Sequence, residues 1–266
     1  KILLQEGNEV SGSDKNVNTE TEKLKQLGIK VNHGHIADNI SSDLDVVVVT
    51  AAIPSDNPEL IQAHKLGLNV IKRPQLLNTI ITMKKSIAVV GTHGKTTVSS
   101  MLATILIDAG LDPMAVIGAK VESMDSNSRS GNGEYSIAEV CEYQRAFLDV
   151  HPYAAVITNI EADHLDCYKD IDDIKAAFKI FVSQIDPTGF LIYCGDDANT
   201  TEIAQQYPGK KISYGLATNN DIVGIKVETN GESFFEVAGI GKFTLQIPGK
   251  HNILNALAAI AVSKEV

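Results

Sequence analysis

"VVGTHGKTTVSSMLATIL" (residues 89–106) runs from an apolar stretch through Gly91 and Gly94 into Lys95, Thr96, Thr97 and an amphipathic helix. A strand that turns through glycines into a helix gathers backbone N–H groups and a helix N-terminus in one place, and such a place surrounds phosphate. There a lysine neutralises β/γ-phosphates and a threonine hydroxyl reaches the Mg²⁺ bridging them; Lys95 and Thr96 stand at those positions. The spacing departs from G-x-x-x-x-G-K-[ST], because Val89 occupies the first glycine position and the shorter G-T-H-G-K-T-T remains. The competing reading is a strand-to-helix turn that merely contains glycine and lysine.

The rest of the chain sets the context for that turn. With 266 residues and 44% hydrophobic content, it can bury a sizeable core and exceeds the usual size of one domain. A net charge of −10 argues against a nucleic-acid partner, which would call for a basic face. No apolar run long enough to span a membrane is present, so no membrane insertion is expected. Cys141, Cys167 and Cys194 are widely spaced and odd in number, which suggests neither a disulfide framework nor a CxxC site and fits a cytoplasmic protein.

Helix-like and strand-like stretches alternate from "TETEKLKQLG" and "DVVVVTAAI" to "PQLLNTIITM", and again from "IAVVGT" through "YSIAEVC", "YAAVITNI" and "GFLIYC". This alternation predicts an α/β fold of βα units on parallel sheets. The polar "MKKS" (83–86) marks a boundary between domains 1–82 and 83–266. Asn230-Gly231 between alternating runs predicts a hairpin, and hence antiparallel strands added to the second sheet. Asp14, at the end of "VSGSD", is either a turn residue or the acid that follows a glycine fingerprint by about 20 residues in a Rossmann unit; that fingerprint would precede Lys1, so the chain reads as a fragment.

Mg²⁺ takes oxygen ligands and commonly one or two carboxylates. Glu139 and Glu142 close one predicted strand, and Glu161, Asp163, His164 and Asp166 follow the next. The carboxyl ends of strands in an open parallel sheet converge on one crevice, so these residues can meet the loop, although acids after strands are also common helix caps.

"GTHGKTT" (91–97), "TNIEADHLDCY" (158–168) and "PGKHNILNALAAIAV" (248–262), in this order, resemble the Mur ligase family, ATP-dependent enzymes that build the peptide stem of peptidoglycan. His93 in the loop, with "VSGSD" and "TAAI" upstream, is most similar to its alanine-adding branch. The resemblance implies a Rossmann-like N-terminal domain that binds UDP-N-acetylmuramate, followed by a P-loop-type ATP-binding α/β domain, with the C-terminal amino-acid-binding domain lying beyond Val266. It implies ATP-dependent ligation of L-alanine to UDP-N-acetylmuramate through an acyl phosphate. Two other readings stay open: the tripeptide-recycling branch, which shares GTHGKTT, and a nucleotide-hydrolysing module without ligation.

Carried onto this chain, the resemblance makes Gly91, Thr92, His93, Gly94, Lys95, Thr96, Thr97 and Asn159 the cofactor-binding residues, with Lys95 on the ATP phosphates and His93 and Asn159 placed to position substrate or the second metal. Thr96 and Glu139 would hold one Mg²⁺, and His164 would help hold a second. His251, Asn252 and Asn255 would grip adenine; from spacing alone that stretch is a Pro-Gly turn with Asn252 as an N-cap. Asp14, His35 and Arg73, with Thr50, follow predicted strands in the first domain and are candidates for the UDP-sugar. Where alanine-adding members read E-A-D-E, this chain reads Glu139-Val140-Cys141-Glu142, with Cys141 expected to be a small buried filler. Lys179 falls near the place of a carbamylated lysine in some relatives, though an alignment shift puts Phe178 there instead.

Overall fold

The structure, a computed structural model, describes residues 1–229 and 231–266. Its internal contacts divide the chain into two units, Lys1–Ile80 and Ile81–Val266. The first holds a short helix α1 (Ile2–Gln5), β1 (Ser11–Asp14), α2 (Thr19–Gln26), β2 (Lys30–His33), β3 (Val46–Val49), α3 (Pro58–Lys65), β4 (Asn69–Lys72) and most of α4 (Arg73–Ile81). The sequence punctuates these helices: Asn18 and Thr21 form a reciprocal capping box on α2, and Asn57 caps α3 just ahead of Pro58. β1 pairs parallel with β2, and β3 with β4. The expected βα alternation is there, but as two separate two-stranded sheets. Each strand has only four residues, and Val46 and Val48 on β3 stay exposed.

The second unit contains β5 (Lys85–Val90), α5 (Lys95–Asp108), β6 (Met114–Val121), β7 (Ser126–Arg129), β8 (Tyr135–Glu139), β9 (Ala154–Ile157), α6 (Ile171–Ser183) and β10 (Phe190–Cys194). It continues through α7 (Ala198–Gln206), β11 (Lys210–Gly215), β12 (Ile222–Glu228), β13 (Ser233–Val237), β14 (Gly241–Leu245) and α8 (Lys250–Ser263). Its 10-stranded sheet has the order β14-β13-β12-β11-β10-β9-β5-β8-β6-β7. The strands from β12 to β6 in that order run parallel, while β13, β14 and β7 add antiparallel edges. The expected hairpin joins β12 and β13, with Asn230 itself outside the described residues; β12 also pairs parallel with β11, so it belongs to both parts of the sheet. β7 carries no apolar run, being "SNSR", and gave no strand signal in the sequence.

Burial explains the layout. β5 and β9 are apolar and buried on both faces, as strands covered by helices on each side must be. One face packs on α5 through Val98, Leu102 and Leu106 and on the alanine-rich α8, which is buried along most of its length. Elsewhere in the same unit Phe147 is fully buried and stacks on Phe181 at 5.1 Å, with Phe178 edge-on at 5.0 Å. Phe147→Ala is expected to destabilise this unit by about 3–5 kcal/mol, measured by the shift of a chemical denaturation midpoint at constant slope.

The sheet's connectivity fixes the working end. β5 lies between β8 and β9, and the chain passes from β8 across to β9, so the crevice opens at their carboxyl ends. In register, Val89 sits opposite Glu139 and Val90 opposite Ile157. The loop after β5, the acids after β8 and the "TNIEADH" stretch after β9 therefore meet.

Candidate nucleotide site

Gly91 and Gly94 shape the loop. Gly91 has φ +131°, and a Cβ there would lie 2.2 Å from Thr158 Oγ1; Gly94 caps α5 at φ +83°, where a Cβ would lie 2.4 Å from Asn255 Oδ1. Both need a backbone that side chains rarely adopt and a space that a methyl group would fill. Gly91→Ala is expected to abolish nucleotide binding, measured by calorimetry with an ATP analogue. Behind the loop, the Thr158 hydroxyl donates to the His93 carbonyl at 2.6 Å. The Asn159 side chain accepts from His93 N–H at 2.8 Å and donates back to its carbonyl at 3.1 Å. Thr92 N–H donates to the Asn159 carbonyl at 3.0 Å, and the Thr92 hydroxyl accepts from Glu161 N–H at 2.9 Å. Thr92 and Asn159 thus brace the loop from inside. The His93 ring points to solvent, 3.7 Å from Glu161.

Lys95 folds back over the loop: its ammonium donates to the Gly91 carbonyl, to the Thr92 carbonyl at 3.1 Å and to Glu142 Oε1 at 3.2 Å. Thr96 donates to Glu139 Oε2 at 2.8 Å, and the same oxygen accepts from Gly118 N–H at 2.7 Å. Thr97 completes the first turn of α5, whose N–H groups have no partner earlier in the helix. Thr96 and Glu139 thereby place two oxygen ligands side by side, as a hard cation requires. Among the described residues no group of three or more His, Cys, Asp and Glu side chains could hold a metal ion. An Mg²⁺ on Thr96 and Glu139 would take its remaining ligands from phosphate and water, its usual habit.

His164, at φ +55°, lies 3.4 Å from Glu142. Asp163 accepts from the His164 N–H and so serves its own turn, whereas Asp166 accepts from the Tyr143 hydroxyl, tying the segment after β9 to the one after β8. Tyr168 donates to the Glu142 carbonyl at 2.6 Å, with its phenol pushed up to about 12, chiefly by burial, which keeps it a donor. Cys141, expected to be buried, is exposed: it lies two residues past Glu139, the end of β8, and has left the sheet. Its thiol is nonetheless raised above the ordinary value, chiefly by desolvation. Lys179 reaches Glu202 at 3.4 Å and Phe178 is core, so neither lies free at the crevice.

In the adenine candidate stretch, Asn255 is buried against Gly94 and links α8 to the loop. Asn252 is not the N-cap; Gly249 is, and the Asn252 amide donates to the Pro248 carbonyl at 2.7 Å. His251 is exposed beside Gly249. In the first unit, Asp14 accepts from Asn16 N–H at 2.8 Å, a turn residue's bond, and Thr50 and Arg73 are exposed after β3 and β4. His35 belongs to a half-buried network: Ser13 donates to Glu59 at 2.6 Å, so the His35 Nδ1 that meets the Ser13 hydroxyl at 2.9 Å must be the donor there. Asn39 donates to the other Glu59 oxygen at 2.6 Å. The sequence reading did not single out Ser13, Asn39 or Glu59, whose meeting at His35 is made only by the fold, and passed over Glu142 in favour of Glu139.

A glycine turn over a parallel switch point, with lysine, threonine and a facing glutamate, is the arrangement of an α/β protein of the phosphate-loop kind. Residues 89–263 match the Mur ligase middle domain and residues 1–85 the Mur ligase family catalytic domain. The chain belongs to the Mur ligase family. It is 43% identical over its whole length to a UDP-N-acetylmuramate–L-alanine ligase of Carboxydothermus hydrogenoformans and 42% identical to one of Syntrophotalea carbinolica, spanning 58% and 59% of their lengths. Among solved structures, the UDP-N-acetylmuramate-alanine ligase of Thermotoga maritima superposes with a TM-score of 0.84 at 28% identity, over 99% of this chain and 60% of that one. The UDP-N-acetylmuramate:L-alanyl-γ-D-glutamyl-meso-diaminopimelate ligase of Neisseria meningitidis gives 0.88 at 26% identity, over 99% and 87%. Among the described residues no helix is long and apolar enough to cross a membrane.

Proposed function

We propose that the protein joins L-alanine to UDP-N-acetylmuramate at the expense of ATP, as a cytoplasmic step of peptidoglycan precursor synthesis. The observation that carries this reading is the Thr96–Glu139 contact of 2.8 Å beside the Lys95 loop, at the carboxyl ends of adjacent parallel strands. Residues 83–266 form the ATP domain, with the loop residues on the phosphates and Asn255, Asn252 and His251 toward adenine. Residues 1–82 bind UDP-N-acetylmuramate, with His35, Asp14 and Arg73 as candidates. Thr96 and Glu139 would hold Mg²⁺, which would neutralise charge on the transferring phosphoryl group, and His164 is the candidate for a second metal.

The muramoyl carboxylate attacks the γ-phosphorus and ADP departs, leaving an acyl phosphate. The amine of alanine then attacks the acyl carbon and expels phosphate, giving the amide. Negative charge gathers in the crevice at each step, so Lys95 and the α5 N-terminus act by opposing it. They are already fixed by the loop's internal hydrogen bonds. The acidic net charge, −10, supports small-molecule substrates over nucleic acid.

Three relatives at 40–43% identity are named UDP-N-acetylmuramate–L-alanine ligases, which supports alanine over the tripeptide as the incoming amine. The test uses the protein at its natural length with ATP, Mg²⁺ and UDP-N-acetylmuramate, offering L-alanine and the tripeptide together. Mass spectrometry is expected to find the alanyl product in excess. A tripeptide product moves the protein to the recycling branch, and ADP without either product makes it a hydrolysing module.

A further inference from the structure

Glu142 is the only charged residue among the buried ones described, at 3% exposure, and the roles above leave it without a task. Its Oε1 lies 3.2 Å from Lys95 Nζ and 3.4 Å from His164 Nε2. Its Oε2 lies 3.0 Å from Lys95 Nζ and has no hydrogen bond of its own. An ammonium group has three donors. Lys95 directs its donors to the Gly91 and Thr92 carbonyls and to this carboxylate, so a phosphate must displace a protein partner.

The carboxylate is not free to withdraw. Tyr168 holds its backbone carbonyl at 2.6 Å. Two residues on, Gln144 and Arg145 have φ of +51° and +58°. That strained pair persists because Arg145 grips Asp173 with bonds of 2.7 and 2.8 Å, lies over the Tyr168 ring at 5.0 Å, and precedes the buried Phe147. A phosphate oxygen accepting from Nζ at about 2.8 Å therefore comes within about 6 Å of a fixed, buried negative charge. Like charges at that range in a partly buried site repel enough to govern affinity.

We infer that Glu142 is the resident counter-ion of Lys95 and makes nucleotide binding conditional on a divalent cation, so that the site takes the metal-bound nucleoside triphosphate and rejects the metal-free one. This rests on reading the loop as a nucleotide site. A cation carried on the phosphates beside Thr96 and Glu139 cancels the charge that Glu142 would otherwise repel. The same carboxylate then discriminates between the two forms without touching either.

The chain is titrated calorimetrically with a non-hydrolysable ATP analogue, once in excess Mg²⁺ and once in EDTA. Wild type is expected to lose at least about tenfold in affinity without the metal. Glu142→Gln keeps the shape and an acceptor for Lys95 but removes the charge, and is expected to narrow that ratio by binding more tightly in EDTA. Glu142→Asp keeps the charge and the ratio. A residue that only shaped the loop would weaken binding in both conditions and leave the ratio alone. An unchanged ratio in Glu142→Gln overturns the counter-ion role, as does a wild type that binds equally with and without metal, a result that needs no variant to fold. If wild type binds in neither condition, the nucleotide reading itself fails and this inference falls with it.

Discussion

Lys95→Ala is expected to lower affinity for an ATP analogue by about ten- to a hundredfold, the loss of a charged hydrogen bond to phosphate, and to cut turnover by about 10²–10³-fold further where the charge on the phosphoryl group is opposed most. Sequence alone suggests a lysine that faces only its ligand, so the variant would fold normally. The Glu142 contacts at 3.0 and 3.2 Å change that expectation. Removing the lysine strands a buried carboxylate, a change worth about 3 kcal/mol of stability. Adding Glu142→Gln to Lys95→Ala should restore the denaturation midpoint without restoring binding. Full binding by Lys95→Ala would remove the phosphate role from the loop.

Glu139→Gln is expected to raise the Mg²⁺ concentration needed for half-maximal activity by at least about tenfold, with a much smaller change in KM for UDP-N-acetylmuramate. The Glu139 oxygen that accepts from Thr96 and Gly118 can be an amide oxygen, so the local structure survives. A hard cation, in contrast, loses a charged ligand. A Mg²⁺ titration of the natural-length protein decides it; an unaltered dependence would shift the metal to another acid.

The parts of this molecule that were legible in the sequence are those in which one short segment carries its own physics. Gly91, Gly94, Lys95 and Thr96 are contiguous, and the strand before them and helix after them are strongly apolar, so both the loop and its place on a parallel sheet could be read directly. The convergence of Glu139 on that loop followed from the carboxyl-end rule for such sheets, whereas Asn159 was a candidate through the family resemblance alone. What escaped was decided by tertiary contact. β7 is polar and becomes a strand because β6 offers an edge. Cys141 looked like core by its small size, yet it is exposed between the buried Val140 and Glu142. His35 was a candidate on position alone, whereas its environment is set by Ser13, 22 residues before it, and Glu59, 24 residues after it. Glu142 was in view as the second acid after β8, but its burial between Lys95 and His164 lies beside a strained turn held by Arg145 and Asp173, which no local pattern announces.

The most direct test of the central claim follows an oxygen atom. UDP-N-acetylmuramate labelled with ¹⁸O in its carboxylate is given to the natural-length protein with ATP, Mg²⁺ and L-alanine, and the released phosphate is analysed by mass. If the carboxylate attacks the γ-phosphorus and the amine later displaces phosphate, one labelled oxygen leaves with each phosphate and the other stays in the new amide. Release of unlabelled phosphate, with or without the alanyl product, would contradict carboxylate activation at this site.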